Sequence, residues 1–219
     1  MLFPIGDDNI ERGHTPIFSY ALLVLNIGLF FFQTTLPEGA YASLIETYGS
    51  IPAEIAQGID LQTLLTSMFL HGSLMHLVGN MLYLWIFADN IEATVGNIPF
   101  LLFYLAGGLV AGLAQVVVDP NSTVPCIGAS GAIAAVMGGY IVMFPHSRVK
   151  MLFLLFFSVF YIPSWVFLGF WFVQQTMSGI GALGMGPEDA GGVAWWAHIG
   201  GFVFGLLAGR MFRRGMRGD

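Results

Sequence analysis

Residues 93–118, ATVGNIPFLLFYLAGGLVAGLAQVVV, are mainly apolar and contain no Asp, Glu, Lys or Arg. A stretch of about 20 such residues is long enough for a helix to cross the hydrocarbon core of a bilayer. Five more uncharged stretches of similar or greater length accompany it, at 13–37, 61–88, 120–147, 151–187 and 190–209. The sequence therefore predicts an all-α polytopic membrane protein with six transmembrane helices.

The composition excludes several other classes of protein. Only 9% of the 219 residues are charged, whereas a soluble domain carries about 25%. A transmembrane β-barrel would show alternating apolar and polar residues, but runs such as Met151–Phe160 are apolar at nearly every position. Only seven residues are basic, too few to form the positively charged surface of a nucleic-acid-binding protein. The single cysteine, Cys126, excludes an internal disulfide.

We expect one membrane domain over residues 1–219, with a core of about 16–212. The predicted helices cover 16–34, 66–88, 98–118, 128–145, 149–174 and 193–212. All seven basic residues then lie on one face, which the positive-inside rule makes cytoplasmic together with both termini. The expected location is a bacterial plasma membrane.

Two of the predicted outer connections have unusual compositions. The first, 35–65, mixes apolar and acidic residues and is expected to lie at the membrane interface; a plain solvated loop is the alternative. The segment 178–192 is rich in glycine, which disfavours a stable lipid-facing helix, so it is either a slack tether or a mobile lid.

Ionisable residues inside membrane spans are costly and usually functional. Here they are His71, His76 and His198, accompanied by the uncharged Asn80 and Ser130. Counted from the outer face, Ser130, His198 and His76 lie at similar depths on three different helices. The three side chains could therefore meet at one site.

Helix periodicity separates the two histidines of the second helix. At about 100° per residue, His76 and Asn80 share a face, whereas His71 lies about 140° from His76. We expect His71 to brace the end of the outer connection. For His76 and Asn80, interhelical hydrogen bonds are an alternative to a role at a site.

Ser130 belongs to the short sequence GASG at 128–131. Small residues recur every four positions, at Gly131, Ala135 and Gly139 on the fourth helix and at Gly201, Gly205 and Gly209 on the sixth. Such stripes let helix backbones approach closely. If the two stripes face each other, Ser130 and His198 come within side-chain reach.

A serine beside a histidine is the chemistry of a nucleophile and its base. None of the six stretches contains Asp or Glu, so the expected arrangement is a dyad and not a triad. His76, Asn80 and the Ser130 backbone N–H, at a helix N-terminus, could donate hydrogen bonds to a developing oxyanion. We expect neither a metal nor a cofactor.

These residues resemble the motifs of the rhomboid family of intramembrane serine proteases. The resemblance covers about residues 60–210 and rests on His71-x4-His76-x3-Asn80, Gly128-x-Ser130-Gly131, Ala197-His198-x2-Gly201-x3-Gly205 and Glu92. It implies a six-helix bundle with a cavity open to the outside. It also implies an endopeptidase that cleaves the transmembrane segment of another membrane protein near its outer end.

The resemblance assigns roles residue by residue. It implies a Ser130–His198 catalytic dyad and an oxyanion hole formed by His76, Asn80 and the Ser130 amide, with Gly128 packed closely beside the nucleophile. Structural support is implied for His71, Gly131, Gly201, Gly205 and Glu92. The implied partners are a transmembrane protein substrate and the lipid bilayer.

Two departures from the family pattern affect the site. Many relatives carry a Trp-Arg pair in the first outer loop where this chain has Gln62 and Thr63, so no role is transferred to that loop. Ala134 stands where some members place an aromatic residue against the base. The orientation of His198 is therefore expected to come from Trp195, Trp196 or a water.

Substrate is expected to enter where the fifth helix meets the second. Pro163 could weaken the fifth helix, and bulky residues there could form a gate, namely Trp165, Phe167, Phe170 and Trp171. Three alternatives stay open: a catalytically silent relative that binds transmembrane segments, a small transporter or channel with a histidine proton path, and a zinc site at His71, His76 and His198.

Overall fold

The computed structural model describes residues 2–8, 15–183 and 192–217. Its helices are α1 (Ile17–Thr35), α2 (Glu38–Tyr48), α3 (Pro52–Ile55), α4 (Thr63–Thr66), α5 (Leu74–Val95), α6 (Asn97–Val118), α7 (Ser130–Met143), α8 (Ser164–Gly181) and α9 (Trp195–Arg217). A 3-10 turn, Ser67–Phe69, follows α4. The strands are β1 (Leu2–Gly6), β2 (Arg148–Phe153) and β3 (Ser158–Pro163).

Helix α7 is the centre of the bundle and is buried along most of its length. It contacts α5, α6, α8 and, most extensively, α9. A Cβ atom added to Gly201 would overlap the carbonyl oxygen of Gly131, and one added to Gly205 would overlap that of Ala135. The two stripes of small residues therefore face each other, which is the condition under which the sequence predicts that Ser130 and His198 meet.

The second predicted helix, 66–88, is displaced in the structure. Helix α5 begins at Leu74 because the Ser73 side chain caps it, accepting a hydrogen bond from the backbone N–H of His76 at 3.1 Å. It continues to Val95, where Gly96 adopts a φ of 91° and ends it. The predicted end at residue 88 rests on the first charged residue, Asp89. A charged residue does not by itself end a helix, so the prediction is too short at this end.

The prediction of a helix over 149–174 is wrong in its first half. Residues 148–163 form a β-hairpin, and α8 begins only at Ser164, directly after Pro163. Proline lacks a backbone N–H and favours the start of a helix, so Pro163 precedes α8 and does not weaken it. A run that is apolar at every position does not distinguish a buried helix from a strand.

The all-α description is corrected in the same region. The hairpin pairs with β1 to give a three-stranded antiparallel sheet in the order β1-β2-β3. The side chains of Val149 and Met151 on β2 are buried against the helices. This sheet lies at the end of α7 opposite Ser130.

Asp7 connects the segment after β1 to the helices. Its carboxylate accepts hydrogen bonds from the Tyr140 hydroxyl and from Asn90 Nδ2. The neighbouring Asp8 forms an ion pair with Arg148 at 3.0 Å. Burial raises the pKa of Asp7 from 3.8 to about 7, with the acidic neighbours Asp89 and Asp8 acting in the same direction and the two hydrogen bonds opposing it.

We expect this carboxyl group to make stability depend on pH. The folded protein keeps the Asp7 proton up to about pH 7, whereas the unfolded chain loses it near pH 3.8, so the free energy of unfolding falls as pH rises through this window. Asp7→Asn should flatten that part of the curve. The test compares thermal midpoints of both proteins in detergent from pH 4 to pH 8, and identical slopes would contradict it.

Glu92 holds the beginning of α1 against α5. Its side chain is fully buried and accepts hydrogen bonds from the backbone N–H groups of Phe18 and Ser19, at 2.8 and 2.7 Å, and from the Ser19 hydroxyl at 2.6 Å. Pro16, at the N-cap position of α1, has no capping side chain. Glu92 therefore satisfies the free N–H groups of α1 from a different helix and places a negative charge at its positive end.

Replacing Glu92 by alanine should lower the free energy of unfolding by about 3 kcal/mol, because three donors, two of them buried, lose their charged acceptor. Chemical or thermal unfolding in detergent would measure the loss. Glu46→Ala, at an exposed position on α2, is the matched control and should change stability little. Equal effects of the two substitutions would contradict a capping role.

Within the described residues, α1 and α6 are the two helices that are both long and apolar enough to span a membrane by themselves. Helix α7 is apolar but shorter, with 14 residues. The connection between α1 and α5 contains α2, α3 and α4, and α2 has no buried residue. Of the glycine-rich segment 178–192, the first four residues belong to α8, and 184–191 lie outside the described residues.

Candidate active site

Ser130 and His198 meet at the ends of the two central helices. Ser130 is the first residue of α7, and His198 lies in the first turn of α9. The Ser130 Oγ is 2.8 Å from His198 Nε2, a normal hydrogen-bond distance. The facing small residues bring the two helix backbones close enough for these short side chains to touch.

The segment that leads into Ser130 is held in place by two backbone contacts. Ser50 and Cys126 exchange hydrogen bonds in an isolated antiparallel bridge, at 3.0 and 2.8 Å. The Gly128 N–H donates to the carbonyl of Ser67 at 2.9 Å. The connection between α1 and α5 thus fixes the position of residues 126–128, which lead into Ser130.

The other side of His198 is held by a residue that sequence reasoning missed. Its Nδ1 lies 2.8 Å from Oε1 of Gln175 on α8. The rings of Trp171 and Trp195 pack on the imidazole at centroid distances of 5.9 and 6.1 Å. Of the expected candidates, Trp195 does contact the ring, but the polar partner is Gln175. The available signal was a pair of glutamines, Gln174 and Gln175, about one turn after Trp171 in a mainly apolar helix.

His76 and Asn80 lie on α5, beside Gly128. A Cβ atom at Gly128 would be 2.7 Å from the His76 ring and 3.6 Å from Asn80 Nδ2, and Gly128 has a φ of 124°. Only glycine tolerates both this conformation and this close approach. Asn80 Nδ2 is buried and has no hydrogen-bond partner among the described residues. An unpaired donor thus lies beside Gly128 and the candidate serine.

His71 does not lie on the second helix, so the phase argument for it is wrong. It precedes α5, and its ring packs edge-on against that of His76 at 5.1 Å. Its backbone N–H and carbonyl both bond to the Gln33 side chain of α1, at 3.2 and 3.3 Å. His71 therefore joins α1 to the beginning of α5 and also supports the His76 ring.

A cavity of about 440 Å³ lies directly over these side chains. Its walls come from α5, α7, α8 and the start of α9, and it is bordered by His76, Asn80, Ser130, Gln175 and His198. This volume is within the usual range of ligand pockets, about 300–1,000 Å³. In the described part of the chain, no three His, Cys, Asp or Glu side chains are grouped as a metal site would require.

Comparison with known proteins identifies the family. The sequence model of the Rhomboid domain matches residues 59–215, so the chain belongs to the rhomboid family, whose members are integral membrane proteins and include serine proteases. The resemblance seen in the motifs is therefore confirmed.

Individual relatives are similar over most of the chain. Rhomboid protease GluP of Bacillus subtilis is 29% identical over 194 residues, which is 88% of this chain and 34% of that protein. The human presenilin-associated rhomboid-like protein, mitochondrial, is 30% identical over 151 residues, covering 65% and 36%. Rhomboid protein 1, mitochondrial, of Saccharomyces cerevisiae is 29% identical over 151 residues, covering 67% and 40%. The chain thus spans between a third and two fifths of the length of these relatives.

Proposed function

We propose that this protein is an intramembrane serine endopeptidase that cleaves transmembrane segments of other membrane proteins near the outer face of the membrane. The observation that carries the proposal is the 2.8 Å contact between Ser130 Oγ and His198 Nε2 at the floor of a cavity. Family membership supports it, because one relative, GluP of Bacillus subtilis, is a rhomboid protease.

The proposed reaction uses side chains of this chain and water. Ser130 Oγ attacks the scissile carbonyl carbon while His198 Nε2 accepts its proton. The resulting oxyanion accepts hydrogen bonds from the Ser130 N–H, Asn80 Nδ2 and the His76 ring. His198 then gives the proton to the leaving amine, and an acyl-enzyme remains on Ser130. Water attacks this ester with His198 again acting as base, which releases the second product.

We infer that a single domain crosses the membrane with six helices, namely α1, α5, α6, α7, α8 and α9. The dimensions of α7 support a site below the outer surface. Fourteen residues rise about 21 Å, whereas the hydrocarbon core is about 30 Å thick. If the C-terminal end of α7 lies at the inner boundary, Ser130 lies about 9 Å below the outer one, within reach of water through the cavity. The first connection, 35–65, is proposed to lie at the interface above it.

The proposed orientation has both termini in the cytoplasm, since the basic residues lie before α1, at the sheet and in the last turns of α9. A phosphatase that is active only outside the cytoplasm should stay inactive when joined after Arg217, and an active fusion would reverse the orientation. The matched relatives include bacterial and mitochondrial proteins, and the bacterial plasma membrane stays a prediction.

Substrate entry between α5 and α8 is supported by how these helices meet. Phe167 of α8 stacks on Tyr83 and Phe87 of α5 at ring-centroid distances of 6.0 and 6.2 Å. Nearer to His76, the cavity separates the two helices. The interface between α5 and α8, called the seam below, is thus closed at its inner end by aromatic rings and open beside the candidate dyad. Trp165 and Phe170 are exposed on the outside of α8.

Linking α5 to α8 should therefore block cleavage of a membrane substrate. The experiment replaces Tyr83 and Phe167 by cysteine, replaces Cys126 by serine, and joins the new cysteines with a short thiol crosslinker. The same variant before crosslinking is the control. Undiminished cleavage after complete crosslinking would contradict entry through this seam.

A fluorophosphonate probe tests the proposed function directly, because it reacts only with a serine whose hydroxyl is activated. We expect labelling of the wild-type protein in detergent and none of Ser130→Ala. Equal labelling of both proteins, or of neither, would refute an activated Ser130. The latter result would favour the second candidate, a rhomboid relative that binds transmembrane segments without cleaving them.

A further inference from the structure

We propose that Gln175 is the positioning residue of His198: its amide oxygen accepts the Nδ1–H hydrogen bond, which leaves Nε2 free to take the Ser130 proton. The inference rests on the proposed function and adds to the dyad a third, neutral member from α8. It gives this glutamine the orienting role that an aspartate has in a Ser-His-Asp triad.

The geometry uses both ring nitrogens of the histidine. Nδ1 lies 2.8 Å from Gln175 Oε1, and Nε2 lies 2.8 Å from Ser130 Oγ. A carbonyl oxygen only accepts, so the proton shared with Gln175 belongs to Nδ1. In neutral imidazole the other nitrogen is then an acceptor, the state that a general base requires.

Gln175 itself is held firmly. Only 5% of its surface is exposed, on a helix whose neighbouring position, Gln174, is exposed. A buried amide without a partner would be costly, so the bond to His198 gives the glutamine a physical reason to be there. Its position on α8 also ties the histidine to the helix that forms one wall of the cavity.

The tryptophans around the ring cannot perform this role. Trp171 and Trp195 contact the imidazole through their rings, and an indole has no hydrogen-bond acceptor to select a tautomer. They fix the plane of the ring. Gln175 fixes which nitrogen carries the proton.

A neutral amide differs from a carboxylate in a measurable way. Gln175 orients the imidazole and offers only a dipole to the imidazolium that forms during catalysis. In Gln175→Glu, an isosteric change, a full negative charge would favour imidazolium. The acidic limb of the kcat/KM profile should then move to higher pH, because the base is lost to protonation earlier.

The test combines kinetics with a measurement that is independent of activity. Cleavage of a single-span substrate in proteoliposomes would be followed against pH for wild type, Gln175→Met, Gln175→Glu and the exposed control Gln174→Met. Nitrogen-15 spectra of histidine-labelled protein would report the His198 tautomer, assigned by its absence in His198→Ala.

For Gln175→Met we expect kcat lower by about 10²-fold with KM little changed, and loss of the single Nδ1–H tautomer. Gln174→Met should behave as wild type in both measurements. Gln175→Glu should restore the Nδ1–H tautomer and shift the acidic limb upward.

The proposal is overturned if the tautomer of His198 is unchanged in Gln175→Met, or if both Gln175 variants keep the wild-type pH profile. The spectra also separate this proposal from the proposed function. A wild-type protein that fails to cleave substrate or react with fluorophosphonate, yet shows a Gln175-dependent tautomer, would refute the protease and leave the positioning role standing.

Discussion

Replacing His198 by alanine is expected to reduce cleavage of a transmembrane substrate by about 10⁴-fold or more, to the level of Ser130→Ala. Without the imidazole, the Ser130 hydroxyl has no base within reach and keeps its proton. Because the two residues act as one unit, the double variant should be no slower than either single variant. Initial rates with purified protein in proteoliposomes would measure all three.

Two substitutions provide controls of the same chemical kind. His146→Ala removes a histidine that is exposed in the connection between α7 and β2, and Ser158→Ala removes an exposed serine at the start of β3. Both should retain wild-type rates. Thermal midpoints would show that His198→Ala remains folded. Substantial proteolysis by folded His198→Ala would remove the histidine from the mechanism.

Gly205→Ala adds a single methyl group, yet we expect it to cause a large loss of stability. Its new Cβ would overlap the backbone carbonyl of Ala135 and approach the Gly139 nitrogen at 2.8 Å, so α9 would have to move away from α7. We expect a cost of at least about 3 kcal/mol. Cleavage should also fall, because separation of these helices pulls His198 away from Ser130.

Gly169→Ala is the matched control for that substitution. It is also a helical glycine, on α8, but nothing lies within 4 Å of an added Cβ. Alanine there should be neutral or stabilising by a few tenths of a kcal/mol to about 1 kcal/mol, since it restricts the unfolded chain. Unfolding curves of the two variants in the same detergent give the comparison. Equal stability would mean that α7 and α9 are not in backbone contact at Gly205.

The meeting of Ser130 and His198 could be anticipated on the condition that the two stripes of small residues face each other. Small residues every four positions define one face of a helix, and each residue lies at the end of such a face. The oxyanion candidates His76 and Asn80 were placed by the same periodicity. These features depend on local helix geometry, which a sequence displays directly.

The hairpin and the true start of α8 could not be anticipated in the same way. In a membrane protein, strands and helices can both be apolar at every position, so the run around Met151–Phe160 carried no distinguishing period. Pro163 was the useful marker, and its position before a helix is more favourable than one inside it.

Gln175 and the partners of Glu92 depend on contacts between distant parts of the chain. A neutral amide gives no charge signal in the sequence, unlike the aspartate of a Ser-His-Asp triad. Glu92 is part of the resemblance to the family, but its partners, Phe18 and Ser19, lie more than 70 residues away. Such pairings become visible only when the helices are packed together.

The connection between α7 and α8 consists of β2 and β3, which pair with β1 in a three-stranded sheet. Strand β2 is paired on both edges, with Leu2–Gly6 on one side and with β3 on the other. The tilt of α8, and with it the width of the groove beside Gln175, therefore depends on residues at the opposite end of the molecule. We therefore expect substitutions in Leu2–Gly6 to change the width of this groove, although these residues do not touch a substrate bound there.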